Sequence, residues 1–110
     1  MAFDDQLAIR VRDALAEVPD VSERRMFGGL AFLVGGRMAC GIVGRDLMLR
    51  LGEAGADAAL DCPHVRPMDF TGRPMRTMVY VAREGIVADP ALEQWVAGAV
   101  EYVRALPPKT

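Results

Sequence analysis

The chain has 110 residues, of which 52% are hydrophobic, and its formal net charge is -2. This length fits one domain with a single core, and the apolar content excludes a disordered chain. The acidic start Met1–Asp5 does not resemble a secretory signal, and no apolar run reaches the roughly 18 residues of a membrane span. Cys40 and Cys62 are too few for a disulfide scaffold, so we expect a cytoplasmic protein.

The charges are distributed unevenly along the chain. Between Arg24 and Arg83 there are nine arginines and five acids, whereas the two flanks together hold four bases and ten acids. Guanidinium groups bind carboxylates or phosphates in a bidentate manner. Two interpretations stay open: these arginines pair with the acidic helices of the same molecule, or they form a binding surface. An isoelectric point near 5.3 argues against direct binding of duplex DNA.

Three helices are predicted. From Phe3 to Val18 apolar residues recur three and four positions apart, which is the spacing of one helix face. The alanine-rich segment Glu53 to Leu60 predicts a short second helix. The third is expected to begin with Asp89 as N-cap and Pro90 in the first helical position, and its apolar stripe ends before Pro107.

Five strands are predicted between the helices. Arg24 to Val34 is expected to be extended but interrupted at Gly28-Gly29, since a glycine pair marks a bulge, a bend or a close backbone approach. Gly35-Gly36 predicts a tight hairpin, and Pro67 predicts an edge strand. The other four strands are Arg37 to Val43, Leu47 to Leu51, Val65 to Phe70 and Arg76 to Ala82.

The order of elements is therefore α-β-β-β-α-β-β-α over a single domain, residues 1–110. Helices on one face of an antiparallel five-stranded sheet predict a two-layer α+β sandwich. Most of the seven methionines are interpreted as core filling rather than as a binding surface.

No catalytic, cofactor or metal motif is predicted. Cys40, Cys62 and His64, with Asp61 or Asp69, lack the paired ligand spacing of a structural zinc site. A nucleophilic thiol needs a base and an orienting group, which one histidine does not establish. The Gly28-Gly29 pair precedes a strand, whereas a P-loop precedes a helix. We therefore expect a protein that is not an enzyme and that holds no cofactor and no metal.

Several motifs resemble a known family. The run Arg24-Arg25-Met26-Phe27-Gly28-Gly29, followed by the glycine hairpin and Arg37-Met38, is similar to the TfoX/Sxy N-terminal domain family. The similarity continues in the segments Leu47 to Leu51, Arg66 to Met75 and Met78 to Val81.

This resemblance implies an α-β(3)-α-β(2)-α fold similar to secretion chaperones. It also implies a non-enzymatic domain of bacterial competence regulators, which act with the cyclic-AMP receptor protein in transcription. Full-length members carry a second, C-terminal domain, so this sequence predicts a stand-alone N-terminal domain. The resemblance supplies no catalytic residues.

We expect an interaction surface for another protein, related to transcription by the family resemblance. Its candidate residues are Arg24, Arg25, Met26, Phe27, Gly28, Gly29, Arg66, Asp69, Arg73 and Arg76. The alternative is a small-ligand or anion-binding domain that uses the same central arginines. A homodimer formed through paired edge strands is also possible.

Overall fold

The computed structural model describes residues 3–26, 28–70 and 73–107, and of residues 69, 70 and 73–75 it describes the backbone alone. Over these residues the chain forms three α-helices, six strands and one short 3₁₀ turn. In order they are α1 Asp5–Ala14, β1 Val21–Met26, β2 Gly29–Val34, β3 Arg37–Val43, β4 Asp46–Arg50, α2 Gly52–Ala59, β5 Val65–Phe70, β6 Arg73–Val81, the 3₁₀ turn Arg83–Ile86 and α3 Asp89–Arg104.

The strands form one sheet in the order β1-β2-β3-β4-β6-β5. Each neighbouring pair is antiparallel. β5 lies at the edge, and its register with β6 shifts between Pro67 and Met68, as expected for a strand whose proline cannot donate to the ladder. The predicted α+β class is confirmed, and so is the edge position of the strand with Pro67.

In the described part of the chain the sheet has six strands rather than the five predicted, because one strand ends and another begins at the glycine pair. Gly28 has a positive φ of 71°, and the chain reverses there, so that β1 runs antiparallel to β2. Gly29 lies where β2 passes β3, and a Cβ at this position would overlap the carbonyl oxygen of Ile42. The prediction of one interrupted extended segment was wrong, although both a turn and a close backbone approach are present.

All three helices pack on the same side of the sheet around one main core. The core side chains of the sheet come from β2, β3, β4 and β6, with Phe32, Ile42 and Leu49 wholly buried. α1, α2 and α3 contribute their apolar faces to this same cluster. The two-layer arrangement with helices on one face is confirmed.

The helix ends differ slightly from the predicted ones. Asp4 caps α1 by accepting hydrogen bonds from the amides of Gln6 and Leu7, and the helix ends at Ala14 rather than at Val18. α3 has Ala88 as its N-cap and Asp89 as its first helical residue, so the predicted N-cap was wrong by one position. The carboxylate of Asp89 instead accepts a hydrogen bond from Arg10, which ties α3 to α1.

A bidentate ion pair joins α1 to β1. Arg12 donates from Nε and Nη2 to the two carboxylate oxygens of Glu23, at 2.7 and 2.8 Å. These hydrogen bonds lower the pKa of Glu23 below its usual value. The pair fixes the first helix against the edge of the sheet. Within the described ranges, no helix combines the length and the apolar character that a membrane span requires.

Candidate functional site

The sheet has a second face, away from the helices, which we call the outer face. Because side chains alternate along a strand, the neighbours of core residues point to this side. On β4 they are Asp46, Met48 and Arg50, while Leu47 and Leu49 point to the helices. No helix of the described part contributes to the apolar cluster on the outer face.

That cluster is built from methionines. Met48, Met68 and Met78 are 1%, 0% and 4% exposed, and half-buried Met38 and Tyr80 pack against them. Methionine is unbranched and polarisable, so it fills irregular spaces well. The interpretation of methionines as core filling is confirmed for these three residues.

Charged side chains lie over this methionine cluster. Arg66 on β5 pairs with Asp46 on β4 at 2.5 Å, and its guanidinium lies 4.6 Å from the centre of the Tyr80 ring on β6. The side chain therefore spans β6 and combines an ion pair with a cation–π contact. Arg50 reaches toward the carbonyl of Met38, but the separation of 3.5 Å makes that hydrogen bond weak.

A shallow groove of about 630 Å³ continues the outer face toward the β2–β3 hairpin. Met26, Leu33 and Met38 give it apolar walls, and Arg37 and Arg50 give it positive charge. The segment after α3 closes one end, where Arg37 donates a hydrogen bond to the carbonyl of Pro107. The groove thus combines apolar and cationic groups.

Most of these groove residues were not among the predicted site residues. Met26 was predicted, whereas Leu33, Met38, Arg37 and Arg50 were not. The sequence of β4 did indicate part of this surface, because Met48 and Arg50 alternate with leucines and so share one face. The continuation onto β2 and β3 depends on strand register, which the sequence does not show.

The family signature is divided between the two faces of the sheet. Arg24 lies opposite Ala31 on β2, on the outer face, and is exposed. Arg25 lies on the helix side, where its guanidinium is 5.6 Å from the centre of the Phe3 ring. Met26 lies opposite Gly29 and reaches the groove. Gly28 forms the turn, and Phe27 lies outside the described residues.

The remaining residues of the predicted surface, those between Arg66 and Arg76, lie toward the other edge of the sheet. Arg66 is on β5, whereas Arg24 is on β1, five strand spacings or roughly 24 Å away across a flat sheet. Arg76 is exposed on β6. Asp69 and Arg73 lie on β5 and β6 beside their connection, but their side chains are outside the described residues. The structure therefore does not bring the two predicted halves together.

The central arginines do not pair with the acidic helices in the described part of the chain. Arg66 does form an ion pair, but its partner Asp46 is on a strand and not on a helix. The two helix-associated pairs, Arg10 with Asp89 and Arg12 with Glu23, use arginines of α1. Arg24, Arg25, Arg45, Arg76 and Arg83 are exposed. Most of the positive charge of the middle region is therefore available at the surface.

A separate cavity of about 240 Å³ lies between α1, the β3–β4 turn and the 3₁₀ turn. One arginine from each of these elements lines it, namely Arg10, Arg45 and Arg83. Asp4 and Gln6, at the start of α1, also line it. The amide of Asp4 donates to the carbonyl of Gly44, which holds the start of α1 against the β3–β4 turn. No local sequence pattern indicated this convergence.

The cysteines are in different environments. Cys40 is buried on β3, as expected for a small core residue, and burial raises the pKa of its thiol to about 12. Cys62 is exposed after α2. Among the described residues no group of three or more His, Cys, Asp and Glu side chains is placed to hold a metal ion.

This difference predicts selective thiol chemistry. At pH 8 Cys40 stays protonated and shielded, so in the folded protein we expect alkylation at Cys62 alone, and at both cysteines in denaturant. Mass spectrometry after treatment with iodoacetamide measures this, with Cys62→Ser as the control that should remain unmodified while folded. Equal labelling of both thiols in the native protein would contradict the buried position of Cys40.

A comparison with family models decides the family of this chain. The model of the TfoX N-terminal domain matches residues 13–103, which is most of the chain. The chain belongs to the TfoX N-terminal domain family. The suspected resemblance is therefore confirmed, and membership supports the general prediction of a regulatory domain. No curated protein matches the sequence.

Among solved structures, this TfoX N-terminal domain is similar to the crystal structure of Deinococcus radiodurans protein DR2400, which is described by the DUF419 domain. The TM-score is 0.67 at 20% sequence identity, and the match covers 100% of this chain and 84% of that chain. At this identity the likeness shows the fold alone, and it agrees with the α+β class.

Proposed function

We propose that this TfoX N-terminal domain is a non-enzymatic, cytoplasmic regulatory module that binds an acidic, partly apolar segment of another protein. The groove on the outer face carries this proposal, since it joins the apolar side chains of Met26, Leu33 and Met38 to the guanidinium groups of Arg37 and Arg50. By family resemblance, we propose a partner that takes part in transcription.

The chemistry of the groove favours an acidic occupant. Arg37 and Arg50 are both half-buried, so the charge of a bound carboxylate would be screened less by salt than at a fully exposed site. Methionine side chains adapt to different apolar partners. A segment in which Asp or Glu alternates with Leu, Met or Phe would satisfy both features.

Two observations argue for the sheet face over other modes of binding. The isoelectric point near 5.3 disfavours duplex DNA as the partner. The edge strands disfavour pairing with another strand, because β1 exposes the polar run 22–25 and β5 contains Pro67. The homodimer through paired edges is therefore not part of this proposal.

Selection of displayed random peptides on the folded protein tests the proposal. We expect enrichment of peptides that combine acidic and large apolar residues. Fluorescence polarisation with a selected peptide should show about tenfold weaker binding for Arg50→Gln, because a charge-assisted hydrogen bond is lost. Selected peptides without acidic bias, or unchanged affinity in this variant, would contradict the proposal.

Arg25→Gln is the matched control. It removes the same charge from the opposite side of the sheet, where Arg25 lies near Phe3 instead of the groove. We expect it to bind the selected peptide like the unmodified protein. Circular dichroism of both variants separates a loss of binding from a loss of folding.

A further inference from the structure

We propose that the cavity between α1, the β3–β4 turn and the 3₁₀ turn is a binding site for a small phosphate monoester that also carries a hydroxyl group. The site is lined by Arg10, Arg45 and Arg83 together with Asp4 and Gln6. It shares no lining residue with the groove on the outer face, so it does not depend on the proposed function.

The charge of the cavity favours an anionic ligand. Arg45 and Arg83 are exposed, and neither forms an ion pair within the described ranges. The negative groups at the site are Asp4 and, paired with Arg10, Asp89. Three guanidinium groups therefore outnumber two carboxylates. A phosphate monoester has a charge of about -1.5 to -2 at pH 7 and three acceptor oxygens, which suit several guanidinium groups at once.

Arg10 is held in place before any ligand binds. Its Nη2 donates to the carbonyl of Ile86 at 2.6 Å and to that of Val87 at 3.3 Å, while Nε donates to Asp89 at 3.1 Å. These bonds leave Nη1 as its further donor group. Because this guanidinium is already fixed, its side chain loses little conformational entropy when a ligand binds.

The start of α1 adds a polar requirement that a bare anion does not meet. The Oδ1 atom of Asp4 accepts the hydrogen bonds from the backbone amides of Gln6 and Leu7, so Oδ2 is still able to accept another. A hydroxyl on the carbon chain of a ligand can donate to this oxygen while the phosphate stays beside the arginines, whereas the P–OH of inorganic phosphate can do so only by bringing the anionic group against the carboxylate. Gln6, whose side-chain amide is polar but uncharged, lines the same wall.

The size of the cavity limits the ligand. Its volume of about 240 Å³ is below the roughly 300–1,000 Å³ typical of sites for drug-sized molecules. A phosphorylated polyol of three or four carbons fits a cavity of this volume, and a dinucleotide is too large for it. The inferred ligand class is therefore a small phosphorylated polyol.

Titration with sn-glycerol 3-phosphate at 150 mM salt, followed by amide chemical shifts, tests this inference. Shifts should concentrate at residues around the cavity. The double variant Arg45→Gln/Arg83→Gln should bind at least tenfold more weakly, and inorganic phosphate should bind more weakly than the ester. Arg104→Gln, at the far end of α3 and about 22 Å from its start, should bind like the unmodified protein.

Three results would overturn the inference. They are an absence of saturable shifts with the ester, equal weakening by Arg104→Gln, and equal affinity for inorganic phosphate and the ester. The first two would exclude a specific anion site, and the third would exclude the role of Asp4 in recognising a hydroxyl group. Both substituted arginines are exposed, so we expect the double variant to fold, and its circular dichroism spectrum checks this.

Discussion

Gly29→Ala is expected to destabilise the protein by about 3 kcal/mol, at the upper end of the range for overpacking. An added Cβ would overlap the carbonyl oxygen of Ile42 and would lie 3.1 Å from its carbon. Both atoms belong to the backbone of β3, so no side chain can rotate to make room. Urea denaturation followed by circular dichroism measures the change in the free energy of unfolding.

The neighbouring glycine provides the control for this substitution. Gly28 has a positive φ of 71°, but among the described residues other than its chain neighbours no atom lies within 4 Å of the position of its Cβ. Asparagine tolerates this backbone region, so Gly28→Asn should cost less than about 1 kcal/mol. If the two variants lost equal stability, the close approach at Gly29 would be refuted as the dominant effect.

Met48→Ala should lower the free energy of unfolding by about 3 kcal/mol, because it leaves a cavity in a buried cluster. Met48 is 1% exposed although it lies on the sheet face away from the helices. A loss of stability of this size is expected if the methionine cluster is a second core, but not if it is a surface that becomes buried only when a partner binds. Calorimetric or urea unfolding measures it.

Two further substitutions serve as controls for the stability lost in Met48→Ala. Met48→Leu nearly preserves volume and should cost less than about 1.5 kcal/mol. Met38→Ala, at a half-buried position in the groove, should cost roughly 1 kcal/mol. A change within about 0.5 kcal/mol for Met48→Ala, as at a surface position, would mean that the cluster does not act as core.

Much of the fold could be predicted because its signals are local. β3 and β5 begin and end at the predicted residues, and the Gly35-Gly36 turn has positive φ at both positions. β1 was missed as a separate strand because residues 22–25 are all exposed and polar, so no apolar alternation marks them. Its pairing with β2 makes it a strand, and that pairing is a tertiary interaction.

The candidate sites were harder to predict because they are assembled from distant segments. Arg10, Arg45 and Arg83 lie on three separate elements, and they come together because α1 packs against both the β3–β4 turn and the 3₁₀ turn. Conversely, Arg24 and Arg25 are adjacent in sequence but lie on opposite faces, as strand alternation requires. Clustering along the chain was therefore a poor guide to clustering in space.

The strand order also determines where the entropic cost of ordering the sheet falls. β1, β2, β3 and β4 pair with their neighbours in the chain through two-residue turns, so closing each loop costs little. β6 instead pairs with β4 across residues 51–72, which include α2 and β5. Within the sheet, strand pairing between segments distant in sequence is thus confined to β4 and β6, in the register of Leu47 with Val81 and of Arg50 with Met78.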